Sequence, residues 1–135
     1  MPARYMLDTN ICIYIGQKRP LEILSRFTSL FPGDAVISVI TFGELRYGAE
    51  KSRERERAVE ILDEFVRLVP VDPMPSTAGA AYGSIRASLE RRGEVIGNND
   101  LWIAAHARTA EVTLVTNNER EFRRVPGLSV ENWTR

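Results

Sequence analysis

The stretch YMLDTNICIY, residues 5–14, sets the fold. Tyr5, Met6 and Leu7 read as a short strand that stops at Asp8, and Ile11, Ile13 and Tyr14 belong to the helix that follows. A strand this short with no polar alternation is one covered on both faces. The module recurs along the chain. AVIS at 35–38 is a second such strand, and from Thr41 a helix runs through Glu44, Leu45 and Tyr47. VTLV at 112–115 is another, followed by the polar loop TNNEREF and a terminal strand around Leu128 to Val130.

Between these units lie further helices. One follows Pro20, with Leu21, Leu24 and Phe27 on one face, and stops near Pro32-Gly33. The charged stretch KSRERER is chiefly a solvated face and leads into a helix with Val59, Leu62, Phe65 and Val66 at helical spacing. LVPV at 68–71 reads as an edge strand, because Pro70 cannot donate to a ladder. Ser76 can cap a helix through Ile85 and Leu89 that ends on Arg91-Arg92-Gly93. Strands alternating with helices predict an α/β fold with a parallel central sheet. With 135 residues and no repeat or linker, residues 1–135 form one domain.

Composition narrows the chemistry. Hydrophobic residues at 44% and charged residues at 27% mark a globular chain. No apolar run reaches the roughly 20 residues of a membrane span, and MPARYMLDTN lacks a signal-peptide pattern, so a cytoplasmic location with no membrane partner is expected. With the single cysteine Cys12 and the single histidine His106, neither an internal disulfide nor a Cys/His zinc site can form. Any metal must be held by oxygen. Eighteen basic residues balance eighteen acidic ones, so a polyanion site must be local. Only Lys18 and Lys51 are lysines; the arginine bias suits phosphate contacts, though a GC-rich genome explains it more simply.

In parallel sheets ligands bind beyond the carboxyl ends of the strands. That rule gives Asp8, Glu44 and Asp100 a common address, with Thr116, Asn117 and Asn118 at the same edge. Singly, each acid has a plainer reading. Asp8, Thr9 or Asn10 can cap a helix, Thr41-Phe42-Gly43-Glu44 fits a capping box, and Asp100 sits at a helix start in IGNNDLWIAAHA, residues 96–107, where Asn98 or Asn99 can be the cap and free Asp100 for the crevice. Together they favour a metal site, since like charges repel unless a cation lies among them. Several carboxylates in an open crevice suit Mg²⁺ or Mn²⁺ rather than Zn²⁺, and such a cation serves phosphoryl chemistry. His106, six residues past Asp100, points elsewhere on the helix and reads as a packed, hydrogen-bonded residue. Cys12 and Trp102 read as core, and Trp133 closes either a sheet edge or a partner surface.

Four segments, YMLDTNICIY, SVITFGELRYGAEKS, IGNNDLWIAAHA and LVTNNEREFRRVPGLSVENW, resemble in order and spacing the PIN-domain ribonucleases, specifically the VapC toxins of VapBC toxin–antitoxin pairs. The resemblance covers essentially the whole chain. It implies an α/β/α sandwich, Mg²⁺-dependent endoribonuclease activity, a toxin homodimer, and inhibition by a VapB-type antitoxin through which alone operator DNA is bound. It also implies roles. Asp8, Glu44 and Asp100 match the acids that hold Mg²⁺, with Mn²⁺ as a substitute; Asp8 and Asp100 anchor it, and Glu44 is a further ligand or orients the attacking water. Thr9 and Thr116 match the hydroxyls beside the first acid and at the start of the last motif. Where many PIN domains carry a fourth acid, this chain has Asn118, and Glu119 or Glu121 could contribute there through water. Hydrolysis by water predicts products with a 5′-phosphate and a 3′-hydroxyl. The GNND sequence resembles a branch that cuts initiator tRNA in the anticodon stem-loop. Arg86, Arg91, Arg92, Arg120, Arg123 and Arg124 are candidates for RNA phosphates, each otherwise a solvated surface residue.

Other classes fit less well. A phospho-receiver needs adjacent acids after the first strand and a late lysine, and an aspartyl phosphatase needs an acid where Asn10 stands. A non-catalytic interaction module, with all three acids serving as caps, is the remaining alternative.

Overall fold

A computed structural model describes residues 2–134. Five strands, β1 (Tyr5–Leu7), β2 (Ala35–Ser38), β3 (Val71–Asp72), β4 (Thr113–Val115) and β5 (Val130–Glu131), form one sheet in the order β3-β2-β1-β4-β5. Every pairing is parallel. Seven helices, α1 (Thr9–Gln17), α2 (Leu21–Thr28), α3 (Val39–Glu50), α4 (Arg55–Leu68), α5 (Thr77–Arg91), α6 (Asn98–Ala110) and the short α7 (Glu119–Phe122), make the connections.

The two-residue period of the strands divides the core into two layers. Met6, Val36 and Leu114 pack on one side with Ile85 and Leu89 of α5 and Leu101 and Ile103 of α6. Leu7, Ala35, Ile37 and Val115 face the other side, against Ile11 and Ile15 of α1, Ile23 of α2 and Phe65 of α4. Both faces of the sheet are therefore buried, as the unalternating strands require, and the α/β/α sandwich is borne out. Among the described residues, no helix is long and apolar enough to cross a membrane.

Several local readings shift. α2 buries Ile23 while Leu21 is 74% exposed, so the inward stripe runs through Ile23, Leu24 and Phe27 instead of including Leu21. α4 continues to Leu68, with Val69 N donating to Phe65 O at 2.9 Å, so β3 begins only at Val71. The Pro70 carbonyl still accepts from Ile37 N at 3.0 Å, and β3 is an edge strand as expected. Ser76 stands at the α5 N-cap but has helical dihedrals and makes no capping bond. TNNEREF is not all loop, since its last four residues wind into α7.

Trp133 is fully buried on the α1–α2 side, its ring meeting the Tyr5 ring edge-on with centroids 5.3 Å apart. It closes the sheet from within this chain. Cys12 is buried as expected. Trp102 is only half-buried and stacks on Tyr82 at 3.9 Å, so it lines the α5–α6 seam more than the core.

Candidate active site

The chain leaves β1 toward β2 on one side, while β4 lies on the other, so the crevice between β1 and β4 is the topological switch point of the sheet. Leu7 and Val115 are register partners at the carboxyl ends of these strands, and Asp8 N donates to Val115 O at 3.0 Å. The next residue on each strand is therefore polar and adjacent: Asp8 on one, Thr116 on the other. Both are buried.

Asp8 does two things at once. Its Oδ1 accepts from Ile11 N at 2.9 Å, which caps α1, and its carboxylate also accepts a hydrogen bond from the Thr116 hydroxyl. Burial raises its pKa, partly offset by those two donors and reinforced by the negative charge of Glu44. Thr116 Oγ1 in turn accepts from Asn118 N at 2.9 Å, which shapes the turn into α7.

Glu44 and Asp100 are not caps. α3 starts at Val39 under Ser38, whose Oγ accepts from Ile40 N at 3.1 Å, so Thr41 is already inside the helix and the capping-box reading fails. Glu44 lies beyond the first turn of α3, and Thr9 Oγ1 donates to its Oε1 at 2.5 Å while Asn99 Nδ2 donates to its Oε2 at 3.3 Å. The buried Thr41 hydroxyl is 3.3 Å from Thr9 Oγ1 and steadies it. α6 begins after Gly97 with no side-chain cap, so neither Asn98 nor Asn99 caps it; Asn98 instead accepts from the Tyr82 hydroxyl. Asp100, in that first turn, is half-buried, and its pKa is pushed up to about 6. Burial is the largest cause, followed by the negative charges of Glu121, Asp8 and Glu44 and a hydrogen bond with Glu121.

The acids of α7 divide. Glu121 faces Asp100 and accepts from Asn118 Nδ2 at 2.9 Å, whereas Glu119 accepts from Arg123 at 2.9 Å and from Asn132 at 3.0 Å. Spacing alone does not separate the two acids or point to Asn99; a four-residue helix after TNN is what aims position 121 inward. The arginines divide too. Arg92 donates to Arg124 O, Arg124 to Glu94 O and Val95 O, Arg123 pairs with Glu119, and Arg86 is held by Glu90 and the Tyr82 hydroxyl. These four serve loops and helix faces first; Arg91 and Arg120 are exposed.

The donor set suits a hard cation. Four carboxylates, two hydroxyls and two amides offer oxygen ligands, and burial together with the acidic neighbours disfavours the ionised form of Asp100. Among the described residues no three acid, histidine or cysteine side chains are gathered closely enough to hold a metal ion as they stand. Mg²⁺, which binds through one or two carboxylates and keeps several of its waters, asks for fewer protein ligands than that.

A parallel sheet in this order with acids at its switch point defines a class, and the family model "PIN domain" matches residues 5–128. The chain belongs to the PIN-domain family, whose nucleases act with a divalent metal, and within it falls among the VapC ribonucleases. It is 51% identical over 131 residues to ribonuclease VapC2 of Haemophilus influenzae, covering 96% of this chain and 98% of that protein. It is 44% identical over 131 residues to the tRNA(fMet)-specific endonuclease VapC of Shigella flexneri, covering 97% and 98%. The crystal structure of VapBC2 from Rickettsia felis, bound to a DNA fragment from its promoter, superposes with a TM-score of 0.87 at 41% identity, over 96% of this chain and 98% of that one.

Proposed function

We propose that this chain is the toxin of a type II toxin–antitoxin pair, an Mg²⁺-dependent endoribonuclease restrained by a VapB-type antitoxin. The observation that carries the reading is the meeting of Asp8, Glu44, Asp100 and Glu121 at the β1–β4 switch point, where burial and then the negative charge of the other three raise the Asp100 pKa to about 6.

Asp8 and Asp100 would hold the cation, with Glu121 in the place of the acid that Asn118 replaces and Glu44 beside them. Bound there, it supplies stabilisation of the negative charge that develops on a phosphodiester during hydrolysis. The protein's own groups do the rest. Thr116 orients Asp8 by hydrogen bonding, Asn118 orients Glu121, and Thr9 with Asn99 fixes both oxygens of Glu44. An aligned Glu44 carboxylate is placed to order a water and to accept its proton. Exposed Arg120, on the same short helix as Glu121, is the first guanidinium to test for contact with an RNA phosphate.

RNA is the substrate, and initiator tRNA is the first to try, given a relative named for that specificity. A homodimer is the working form. With no net charge, the chain meets operator DNA only through the antitoxin. Expression of wild type beside Asp100→Asn, followed by sequencing of RNA 5′ ends, tests the reading. New 5′-phosphate ends confined to wild type, and suppressed by co-expression of the product of a short neighbouring gene, support it. Identical RNA ends in both strains would overturn it.

A further inference from the structure

We propose that His106 is a positioning residue for the acidic site, acting through Ser38 to set the register of α6 against α3. The inference rests on the reading of Asp8, Glu44, Asp100 and Glu121 as a cation site.

The ring of His106 is completely buried, as is Ser38. Nδ1 lies 2.9 Å from Ser38 Oγ, and Nε2 lies 3.0 Å from Asp72 Oδ1. Ser38 Oγ already accepts from Ile40 N as the cap of α3. Its own proton is therefore free to go to Nδ1, which leaves Nε2–H to donate to Asp72. Every group is satisfied in that arrangement, and among the described residues no buried side-chain nitrogen or oxygen lacks a partner. Ser38 and Asp72 are themselves register partners at the ends of β2 and β3, so one ring ties α6 to both strands and to the first turn of α3.

The spacing gives the relay its consequence. His106 lies six residues after Asp100 on α6, and Ser38 lies six residues before Glu44, close to 9 Å along a helix in each case. α3 and α6 thus run antiparallel with two rungs between them: Ser38–His106, which is buried, and Glu44–Asn99, which opens on the site. Apart from these two rungs, Ile40 of α3 packs against the apolar cluster to which buried Ala104, Ala105 and Ala107 of α6 belong, and contacts of that kind are non-directional. Helix shifts of about 1–2 Å are a known mode of rearrangement, and a shift of about 1 Å in a reacting constellation is expensive. A buried polar pair that fixes register is the best-attested use of such a pair.

The test compares His106→Asn and His106→Gln in the full-length protein, with Asp100→Asn as a control. Asn can place Oδ1 where Nδ1 accepts from Ser38, and Gln can place Nε2 where it donates to Asp72. Mn²⁺ dissociation constants are read by electron paramagnetic resonance, and kcat and KM for RNA are read below the melting temperature of the least stable variant. Loss of the Ser38 arm in His106→Gln is expected to weaken Mn²⁺ binding and lower kcat by about tenfold, the lower end of what an outer-shell hydrogen bond costs a metal site. KM for RNA should not move. His106→Asn should stay within about twofold of wild type. If His106→Gln fails to fold, Ser38→Ala must show the same tenfold losses. Wild-type Mn²⁺ binding and kcat in His106→Gln or its stand-in, or equal impairment in Asn and Gln, would overturn the relay. Binding that survives Asp100→Asn unchanged would instead sink the cation site itself, and the relay with it.

Discussion

Asp100 and Glu121 are hydrogen-bonded to each other although both are acids. Two carboxyls can share a hydrogen bond only when one of them carries a proton, and burial with the surrounding negative charge raises the Asp100 pKa to about 6, so at mildly acidic pH a proton stands where a cation would otherwise balance the charge. Glu121 comes from α7 and is aimed by Asn118, the residue at the position where many PIN domains carry their fourth acid. Glu121 stands three residues past that position, and the helical turn of α7 brings it to face Asp100.

Cation binding should therefore displace a proton. Calorimetric titration with Mg²⁺ in two buffers of different ionisation enthalpy is expected to report release of about half a proton per cation near pH 6, falling toward zero above about pH 8. In Asp100→Asn the release should vanish. Equal heats in both buffers at pH 6 would mean that the pair holds no such proton.

The same pair predicts a pH dependence of stability. Asp100 titrates at about 6 in the folded protein against 3.8 in its ordinary state, so between these values the folded state binds more protons than the unfolded one. Its contribution is thus most favourable below about pH 4 and is lost as pH rises through 6. Without Mg²⁺, the melting temperature of wild type relative to Asp100→Asn should fall over that window, and millimolar Mg²⁺ should restore it at neutral pH. A difference that grows with pH would reverse the sign and refute the assignment.

Asp8 separates its two roles by substitution. Asn retains an Oδ1 that can accept from Ile11 N, so Asp8→Asn should keep the α1 cap and most of the stability while lowering RNA cleavage by at least about a hundredfold. Asp8→Ala should lose the cap as well, at a further cost of about 1 kcal/mol. Chemical denaturation beside an RNA cleavage assay reads both effects. Cleavage retained in Asp8→Asn would make the residue a cap only.

Glu121 and Glu119 should behave differently despite their spacing of two. Glu121→Gln is expected to raise the Mg²⁺ concentration for half-maximal cleavage by about tenfold. Glu119→Gln weakens the pairing with Arg123 and Asn132 and should leave that concentration unchanged, with a stability loss within about 1 kcal/mol. Equal effects in the two variants would argue that α7 contributes only bulk charge.

Much of this is legible in the sequence because both signals are local. Unalternating Tyr5-Met6-Leu7 and Ala35–Ser38 can only be strands buried on both faces, and that forces a parallel sheet whose carboxyl edge collects Asp8 and Thr116. What could not be read lies in where each helix starts and in contacts across long separations. Ser38 takes the α3 cap from Thr41 because β2 runs directly into the helix, and Gly97 takes the α6 cap from Asn98 and Asn99, which frees Asn99 to reach Glu44. Nothing in TNNEREF marks residue 121 over residue 119 until Glu119–Phe122 wind into a turn. His106 was readable as buried and hydrogen-bonded, but its partners Ser38 and Asp72 lie 68 and 34 residues away.

The most direct measurement is in vitro cleavage of initiator tRNA by purified wild type, Asp8→Asn and Asp100→Asn across an Mg²⁺ titration, with the new ends mapped. Wild type should cleave only with the cation, leaving a 5′-phosphate and a 3′-hydroxyl, and both variants should be inactive while remaining folded. Cleavage of tRNA or of total RNA that persists in chelator, or equally in both variants, would contradict the account.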